Sequence, residues 1–391
     1  MKKLRVFFSS NAMWATSGYS QQIADLLPRI RDEGYPIAIC NFFGQQGGKF
    51  MLDGIMQYPI INHVYGSDAL IHHANDFKAD VVFTLQDIWV LNPEDLSKVK
   101  HFIPVVPVDH DPVPAVILDR LRYAYRVITY SQFGHKQLLD HGVFSTYIPH
   151  MVDTKIFKPE DKQARKKSVG LPLDSYVVGM VAANKENPPR KSFQEVMDAF
   201  VMFLKVEPKA LLYIHSNPKF PGGFDFEEYA KFLNIREKLL FPDSYQANFN
   251  TPKEAMANIY TTFDVLLAPS ISEGFGVPIV EAQACGIPTI THRWTSMTEL
   301  VQEDVTGYLV ETSQKRWSGM GSYMAVPSIQ SIYDCLVKAH ARNGIEMGKK
   351  AREFVKANYD SDMVFEKYWK PYLTDLENEF YPVVAKEIEK K

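Results

Sequence analysis

The sequence that decides the fold class is the stretch Val265–Pro288, VLLAPSISEGFGVPIVEAQACGIP. It opens with an apolar run, Val265–Pro269, that predicts a buried strand, and it continues into the glycine-containing loop Ser270–Gly276. Pro278 predicts the first turn of a helix, where the missing N–H of proline costs nothing. A strand, a glycine loop and a helix start form an anion site, because glycine lets the backbone approach a ligand and the helix dipole favours negative charge.

Two carboxylates accompany this loop. Glu273 lies in the loop and Glu281 follows eight residues later in the helix, so both can face the crevice at the end of the strand. N–H donors suit a diphosphate, and paired carboxylates suit the hydroxyls of a sugar and a ribose. The stretch therefore indicates a sugar-nucleotide site. The same residues also fit a helix that is simply capped by a glycine loop, with Glu281 facing solvent.

Short apolar runs alternate with helix-length amphipathic segments in the first half of the chain. The runs are Leu4–Phe8, Ile37–Asn41, Val81–Leu85, Phe102–Val108, Arg126–Tyr130 and Tyr147–Pro149. The helical stretches Ser20–Glu33 and Ser131–His141 lie between such runs, and each ends at a glycine, Gly34 or Gly142, which is a usual helix stop. Continuous apolar strands that are each followed by a helix predict a parallel sheet buried on both faces.

The same pattern restarts after Asp153–Asp174, a segment rich in Lys, Asp and Pro that we interpret as a linker. The second set of strands is Tyr176–Val181, Ala210–His215, Val265–Ala268, Pro288–Thr291 and Gly307–Val310. The helices between them include Ser192–Leu204, Pro252–Thr262 and Pro278–Cys285. From Ser328 onward the sequence predicts consecutive helices that are broken near Pro371 and Pro382.

Two such arrays predict an α/β fold of two Rossmann-like, doubly wound parallel-sheet domains. Sheets of this kind bind ligands outside the carboxyl ends of their strands, so two facing domains would share one interdomain cleft. We place the N-terminal domain at residues 1–155, the C-terminal domain at 156–358 and a closing helical segment at 359–391.

Composition and charge narrow the function classes. The 391 residues include 43 Lys and Arg against 46 Asp and Glu, a net charge of −3 that gives no indication of binding a polyanion. The three cysteines, Cys40, Cys285 and Cys335, are odd in number and far apart, which favours a reducing compartment, the cytoplasm. We expect no metal site, since no metal-ligand spacing occurs. We also expect no membrane-spanning helix, since no sufficiently long apolar run occurs; peripheral membrane contact stays open.

The stretch Ser272–Pro288 resembles the Glu-x7-Glu signature of retaining glycosyltransferases with the GT-B fold, and most of all glycosyltransferase family 4, the glycosyl transferases group 1. The resemblance continues through Met297–Val301 and Thr306–Val310, and it extends upstream to Ile259. It implies that the C-terminal domain binds the donor, that the N-terminal domain binds the acceptor, and that the closing helices cross back to the N-terminal domain.

The resemblance also implies roles for individual residues. Glu273 would contact the hydroxyls of the donor sugar, and Glu281 would hold the ribose of the nucleotide. The backbone amides that would meet the sugar and the phosphates belong to Gly274, Phe275, Gly276 and Val277.

The segment Pro189–Ser192 resembles the diphosphate-binding Arg…Lys-Gly segment of the same family. Arg190 and Lys191 would neutralise charge that develops on the departing diphosphate. Two departures weaken the match. The upstream arginine of the family aligns near Ala183 or Asn184, and Ser192 stands where the family has glycine. Arg190 and Lys191 as solvated loop charges remain the alternative.

Two positions in the first half complete the predicted site. Gly18, after the first strand, resembles the N-terminal glycine loop of the family, although an ordinary helix entry fits equally well. His110 follows the apolar strand that ends at Val108, where polar residues usually face the crevice. The resemblance places His110 near the donor sugar; the alternative is a histidine that satisfies local backbone groups.

The implied activity is transfer of a sugar from a nucleotide sugar, UDP- or GDP-linked, with retention of anomeric configuration and without cofactor or metal. The reaction would be a front-face displacement, in which the protein positions the reactants and stabilises charge. The sequence leaves the acceptor open among glycan, lipid, small molecule, protein and modified nucleic acid. Alternatives are an enzyme of another type on the same fold, such as a sugar-nucleotide epimerase or a phosphorylase, and a nucleotide-sugar-binding protein without turnover.

Overall fold

Strands and helices alternate along most of the chain, as the sequence predicts. The computed structural model describes residues 2–243, 245, 251–342 and 344–382. The strands are β1 (Val6–Asn11), β2 (Ile37–Phe43), β3 (Phe50–Leu52), β4 (Ile55–Pro59), β5 (Val81–Leu85), β6 (Phe102–Val106), β7 (Ile128–Thr129), β8 (Thr146–Tyr147), β9 (Val177–Val181), β10 (Leu211–His215), β11 (Leu239–Leu240), β12 (Val265–Ala268), β13 (Thr289–His292), β14 (Gly307–Val310), β15 (Thr312–Trp317) and β16 (Tyr323–Pro327).

The described helices include the five whose bounds the sequence predicts, each matched to within two residues. They are α1 (Gly18–Asp32), α2 (Ser67–Phe77), α3 (Pro93–Leu96), α4 (Ala115–Leu121), α5 (Gln132–Asp140), α6 (Lys162–Ser168), α7 (Phe193–Phe203), α8 (Phe226–Phe232), α9 (Lys253–Thr261), α10 (Val277–Ala284), α11 (Met297–Leu300), α12 (Ile329–Ala341), α13 (Gly344–Asn358), α14 (Ser361–Val364) and α15 (Lys370–Phe380). Short 3-10 turns occur at Ile88–Val90 and Arg236–Lys238, and a π-helical turn at Phe365–Trp369 leads into α15.

The described chain divides into two compact units. The first comprises Met1–Val106, Asp119–Ile128 and Asp362–Lys391, and the second comprises Pro107–Leu118 and Thr129–Ser361. The predicted boundaries at residues 155 and 358 and the predicted interdomain cleft stay predictions.

The first unit is built on a sheet with the strand order β3-β4-β2-β1-β5-β6. Strand β3 runs antiparallel to β4, and the other neighbours pair in parallel. The chain reverses its direction across the sheet between β1 and β5, so the loop after β1 lies at a topological switch point. Apolar side chains from the strands and from α2 form the core, among them Phe7, Tyr58, Leu70 and Phe102.

The second unit is built on the parallel sheet β11-β10-β9-β12-β13-β14. Helix α7 buries Phe193, Phe200 and Phe203, which pack with the strands and with α12 in one core. The chain fills one half of the sheet from β9 to β11 and then the other half from β12 to β14. The switch point therefore lies between β9 and β12, and a ligand crevice is expected outside their carboxyl ends.

The differences between the structure and the sequence interpretation include a helix and a hairpin. The segment interpreted as a linker contains helix α6, whose Lys166 is buried and pairs with Asp264 at 3.0 Å. The hairpin of β15 and β16 is absent from the prediction because β15 is polar and almost entirely exposed, so it shows no alternating apolar pattern.

None of the described helices combines the length and the hydrophobicity needed to cross a lipid bilayer.

Candidate functional site

Two loops of the second unit meet at the switch point of its sheet. The loop after β12 carries Glu273, and the loop after β9 carries Arg190 and Lys191. Strands β9 and β12 are hydrogen-bonded neighbours, so their following loops leave the sheet side by side. The backbone N–H of Ile271 donates to the carbonyl of Arg190 at 2.9 Å and ties the loops together. The structure thus brings together residues that lie more than 80 positions apart, as the separation of 82 between Lys191 and Glu273 shows.

The carboxylate of Glu273 is the centre of this arrangement. Its Oε1 accepts from Lys191 Nζ at 2.5 Å and from Ser270 Oγ at 2.7 Å. Its Oε2 lies 3.6 Å from Arg190 Nη1, and Arg190 also donates to the carbonyl of Ser272. The side chains of Glu273 and Lys191 are only 17% and 19% exposed. The alternative in which Arg190 and Lys191 are merely solvated loop charges does not describe this paired, largely buried group.

The pKa values of Glu273 and Lys191 are shifted by burial and by the charges of the neighbouring side chains. Burial alone would raise the pKa of Glu273, but the charges of Lys191 and Arg190 outweigh it, and the pKa lies below its ordinary value. Burial lowers the pKa of Lys191 below its ordinary value. The charge of Glu273 raises this pKa and the like charge of Arg190 lowers it, so burial and Arg190 together outweigh Glu273. The site therefore holds an ionised carboxylate and a cation whose charge is costly in the free protein. An anionic ligand would lower that cost.

The loop and the start of helix α10 present a row of backbone N–H groups. Within the described part of the chain, no acceptor takes the N–H groups of residues 274–277. Gly276, the N-cap, has φ +116°, a backbone conformation that favours glycine, and an added Cβ would lie 2.8 Å from Ile279 Cδ1. At Gly274 an added Cβ would lie 2.9 Å from Pro107 Cβ. Pro278 occupies the first turn of the helix, as predicted.

Side chains behind the loop fix its path. The carbonyl of Glu273 accepts from Thr295 Oγ1 at 3.0 Å and from Ser296 Oγ at 2.8 Å. Phe275, 3% exposed, packs against the rings of His150 and Tyr359 at centroid distances of 5.2 and 5.6 Å. The side chain of Phe275 is buried, and the N–H groups of the loop at residues 274–277 have no acceptor among the described residues. The side chain of Phe275 therefore anchors the loop, and the role of its amide at a ligand stays a prediction.

His292 is a supporting residue that the sequence analysis missed. Its Nδ1 donates to the carbonyl of Ser270 at 3.0 Å, which leaves Nε2 to accept from Thr312 Oγ1 at 3.0 Å. Burial lowers the pKa of His292 to about 4, so the ring is neutral at physiological pH. The residue ends strand β13, and the rule that selected His110, a polar residue at the carboxyl end of a buried strand, also finds it.

His110 lies in the second unit together with Glu273. Its Nδ1 donates to Asp109 Oδ1 at 2.6 Å, and Ser272 Oγ donates to the backbone carbonyl of Asp109. The hydrogen on Nδ1 leaves Nε2 as the acceptor nitrogen; it is buried and has no hydrogen-bond partner in the described structure. Burial would raise the pKa of Asp109, but the hydrogen bond from His110 and the charge of Arg190 lower it below its ordinary value. The His110 ring is thus oriented by a carboxylate and keeps one nitrogen available.

Glu281 occupies a different environment from Glu273. It lies in helix α10, is 4% exposed, and its Oε2 accepts from the Tyr260 hydroxyl at 2.7 Å. The alternative in which Glu281 faces solvent is wrong for this structure. Its role at a ribose stays a prediction.

Gly18 belongs to the first unit and is the first residue of helix α1. The N-cap is Ser17, whose Oγ accepts from the N–H of Ser20 at 3.0 Å and from Asn11 Nδ2 at 2.5 Å. The structure therefore contains the ordinary helix entry that the sequence allowed. A contact of Gly18 with phosphate or acceptor stays a prediction.

The two departures from the family pattern have structural consequences. Asn184, near the position of the family arginine, donates to the carbonyls of Asn217 and Phe224 at 3.0 and 2.8 Å and accepts from the N–H of Phe224 at 2.7 Å. It thus joins two loops rather than supplying charge. Ser192 has φ +56° and ψ +37°, the left-handed region in which glycine is favoured, and its buried Oγ has no partner in the described structure.

Comparison with known proteins relates the loop region to one family. Residues 161–318 match the family model described as Glycosyl transferases group 1. The matched range contains Arg190, Lys191, Glu273 and Glu281. A D-inositol 3-phosphate glycosyltransferase of Segniliparus rotundus is 28% identical over 182 residues, which is 46% of this chain and 39% of that protein. The chain therefore spans about two fifths of the length of this relative.

Solved structures establish the fold over nearly the whole chain. The sucrose-phosphate synthase of Thermosynechococcus elongatus is similar with a TM-score of 0.76 at 14% identity, covering 96% of this chain and 99% of that one. The Anabaena protein HepE, solved in complex with UDP-glucose, has a TM-score of 0.70 at 14% identity and covers 95% of this chain and 100% of that one. Together with the two parallel sheets, these similarities confirm the predicted α/β fold of two Rossmann-like domains, the GT-B fold.

Proposed function

We propose that this protein is a retaining glycosyltransferase that moves a sugar from a nucleoside-diphosphate sugar to a hydroxyl of an acceptor. The observation that carries the proposal is the buried Glu273 carboxylate, paired with Lys191 at 2.5 Å. It lies in the same loop as the N–H groups of residues 274–277, which have no acceptor among the described residues. Cations and N–H donors suit a diphosphate, and a carboxylate suits sugar hydroxyls. The match to the glycosyl transferases group 1 covers these same residues.

In the proposed reaction the bond between the anomeric carbon and the diphosphate oxygen breaks, and a bond to the acceptor oxygen forms on the same face. The proton of the acceptor hydroxyl passes to the departing phosphate oxygen. Arg190 and Lys191, with the N–H groups of Gly274 and Gly276, stabilise the negative charge that grows on the diphosphate. These groups are held in place before the reaction begins. Electrostatic stabilisation is strongest when the charged groups and donors do not have to reorganise during the reaction.

Glu273 and His110 position the sugar in this proposal. The low pKa of Glu273 keeps it ionised, so it accepts hydrogen bonds from donor hydroxyls without acting as a proton donor. The Nε2 of His110, which has no partner among the described residues, bonds to another hydroxyl; it accepts when the ring is neutral, because Asp109 holds the hydrogen on Nδ1. Glu281 is proposed to bind the ribose. No metal or cofactor enters the proposed chemistry.

The donor is proposed to be a UDP- or GDP-sugar. A protein with the same fold was solved in complex with UDP-glucose, which supports a nucleotide sugar as the ligand class. We also propose a cytoplasmic location, in keeping with Cys40, Cys285 and Cys335, which are buried free thiols.

A donor panel tests the proposal. Purified protein is titrated calorimetrically with UDP, GDP and ADP and with their glucose or mannose conjugates, and nucleotide release is then measured for each conjugate. We expect one nucleotide series to bind, and Glu273→Gln to slow release about 10- to 100-fold, the value of a hydrogen bond to a charged group. The control, Glu311→Gln, changes an exposed carboxylate that pairs with Arg293 and should behave as wild type.

Each failure has a separate meaning. Binding of none of these nucleotides contradicts the whole proposal. Binding with epimer formation identifies an epimerase, and binding without turnover under any condition identifies a binding protein. Unchanged release by Glu273→Gln contradicts the assignment of the site while leaving the activity intact.

A further inference from the structure

The hairpin of strands β15 and β16 has no role in the proposed chemistry, yet it is attached to the residues that perform it. Its two strands form a separate antiparallel sheet. An isolated two-stranded ribbon is marginally stable in water, so the attachments of this hairpin to the rest of the second unit determine its position.

The first attachment is to the segment that carries His110. Tyr323 and Asp111 exchange two backbone hydrogen bonds, of 3.1 Å to the Tyr323 carbonyl and 3.4 Å to the Asp111 carbonyl. Ser322 Oγ donates to the carbonyl of Pro112. A short antiparallel β-bridge therefore joins the hairpin to the Asp109–Pro112 segment.

The second attachment is to the loop that carries Glu273. The N–H of Ala325 donates to the carbonyl of Ile271 at 3.3 Å, and Thr312 Oγ1 bonds to His292, which also holds Ser270. The hairpin is thus fixed to both segments of the candidate site. Its contact at Ile271 is two residues from Glu273 in the sequence, and its contact at Asp111 is one residue from His110.

One face of the hairpin carries aromatic rings and a cation, together with the buried Ala325, which lies opposite Lys315 in the register. Trp317 and Tyr323 lie opposite each other in the register, with ring centroids 4.9 Å apart at 76°, and they are 62% and 40% exposed. Lys315 lies on the same face, since it is two residues from Trp317 in the strand. Its Nζ is 5.0 Å from the ring of Trp294 and 3.8 Å from Asp111 Oδ2.

The charge of the hairpin is one-sided. Thr312–Pro327 contains Lys315 and Arg316 and no acidic residue. Arg316 lies on the opposite face and interacts with Glu195, whereas Lys315 remains 52% exposed beside Asp111. Aromatic rings offer flat apolar surfaces on which the C–H faces of a sugar ring can lie, and an exposed ammonium group attracts an anion. An anionic carbohydrate meets both requirements.

We propose that Lys315, Trp317 and Tyr323, whose side chains are exposed on one face of this hairpin, contribute to binding the acceptor, and that the acceptor is a sugar bearing phosphate or carboxylate. The proposal places acceptor contacts within residues 156–358, the part of the chain that the resemblance assigns to the donor. This inference rests on the proposed transferase function and specifies its acceptor. The hairpin holds the acceptor ring against Trp317 and Tyr323 and its anionic group near Lys315, which brings an acceptor hydroxyl toward the segments of His110 and Glu273.

A purely structural role would also account for two aromatic rings, because cross-strand aromatic pairs stabilise hairpins. Trp317→Leu separates the two roles, since leucine keeps apolar packing against Tyr323 and removes the ring. Lys315→Met removes the charge and keeps the aliphatic length. Phe144→Ala and Lys209→Met are the matched controls, being an exposed aromatic residue and an exposed lysine of the same unit.

The experiment uses the donor that the nucleotide panel identifies and measures how much each added acceptor stimulates nucleotide release. The four acceptors, tested separately, are glucose 6-phosphate, glucuronic acid, glucose and a 15-residue oligothymidylate. We expect the two anionic sugars to stimulate release more than glucose. Trp317→Leu should raise their half-saturating concentration about tenfold, as expected for loss of ring stacking. Lys315→Met should abolish the preference for the anionic sugars over glucose. The KM for the donor should not change in either variant, and neither control should alter any value.

Three results would overturn the inference: equal stimulation by glucose and its phosphate, stimulation by the oligonucleotide alone, or half-saturation that neither hairpin variant changes. Absence of stimulation by both anionic sugars would show that the acceptor class is wrong. Failure of the transferase proposal is seen separately, as absence of nucleotide binding by the wild-type protein before any acceptor is added.

Discussion

Glu273 and Lys191 join two neighbouring strands of one sheet through a contact of 2.5 Å between Oε1 and Nζ. Each residue lies in the loop that follows its strand at the topological switch point between β9 and β12. Their pairing in the free protein lowers the pKa of the carboxyl and holds the lysine beside it. A bound diphosphate would find the cation already in place, which avoids the cost of reorganising the site during reaction.

Replacing Lys191 by methionine tests the electrostatic role of this pair. We expect nucleotide release to slow about 100-fold, because one preorganised charge opposite the departing diphosphate is lost. The measurement is single-turnover nucleotide release, with thermal denaturation run in parallel to establish that the variant is folded. Lys209→Met, which removes an exposed lysine paired with Asp174, serves as control. A rate within twofold of wild type in a folded Lys191→Met protein would exclude the role.

Gly276 tests the geometry of the loop. Alanine there would have φ +116° and a Cβ 2.8 Å from Ile279 Cδ1, so we expect a loss of about 1–3 kcal/mol in the free energy of unfolding. Donor affinity should fall as well, because the N–H groups of the loop would be displaced. Urea denaturation and calorimetric titration measure the two effects. Gly48→Ala, where the added Cβ meets no atom within 4 Å, should leave both unchanged; equal stability of the two variants would contradict the argument.

Glu299 gives the protein a pH-dependent stability. Burial raises the pKa of this carboxyl to about 7. The backbone N–H groups of Gln132 and Phe133 donate to the carboxylate and lower the pKa, but burial outweighs them. The folded state then keeps a proton that the unfolded state releases from its ordinary pKa of 4.5 upward. Stability is therefore fully present below about pH 4.5 and falls as pH rises to about 7, by at most about 3 kcal/mol.

Urea denaturation at intervals between pH 4.5 and 8 measures this loss. Glu299→Gln should lack it, since glutamine has no proton to release; its amide oxygen can accept from only one of the two backbone N–H groups. Glu311→Gln, at an exposed carboxylate, should keep the wild-type slope. A slope shared by wild type and Glu299→Gln would mean that another group is responsible.

Ser192 is held in a conformation that suits glycine. With φ +56° and a buried hydroxyl without a partner in the described structure, it carries two costs that Ser192→Gly removes. Ser192→Ala removes only the hydroxyl. We expect the glycine variant to be more stable than the alanine variant by about 1 kcal/mol, after allowing for the greater freedom of glycine in the unfolded chain. Thermal denaturation of both variants decides the order, and greater stability of the alanine variant would contradict the assignment of strain.

The sequence by itself determined the strand, the glycine loop and the helix start at Val265–Ala284, because apolar runs, glycine and proline act through local backbone geometry. The same local signals predicted the alternation of strands and helices, and hence the two parallel sheets. They failed at β15, whose polar exposed residues carry no apolar period. They also missed α6 within a charged segment, where the buried Lys166 pairs with Asp264.

Tertiary structure alone decided which polar residues belong together. Lys191 and Glu273 are brought into contact by the order of strands in the sheet, and no local pattern contains that order. The same is true of Glu281, which pairs with Tyr260, and of Asn184, which joins two loops. The sequence named the residue types that a sugar nucleotide requires. The packing of distant segments fixed their distances, their burial and, through burial, their charges, because solvation and Coulomb energies depend on separations that only the folded chain sets.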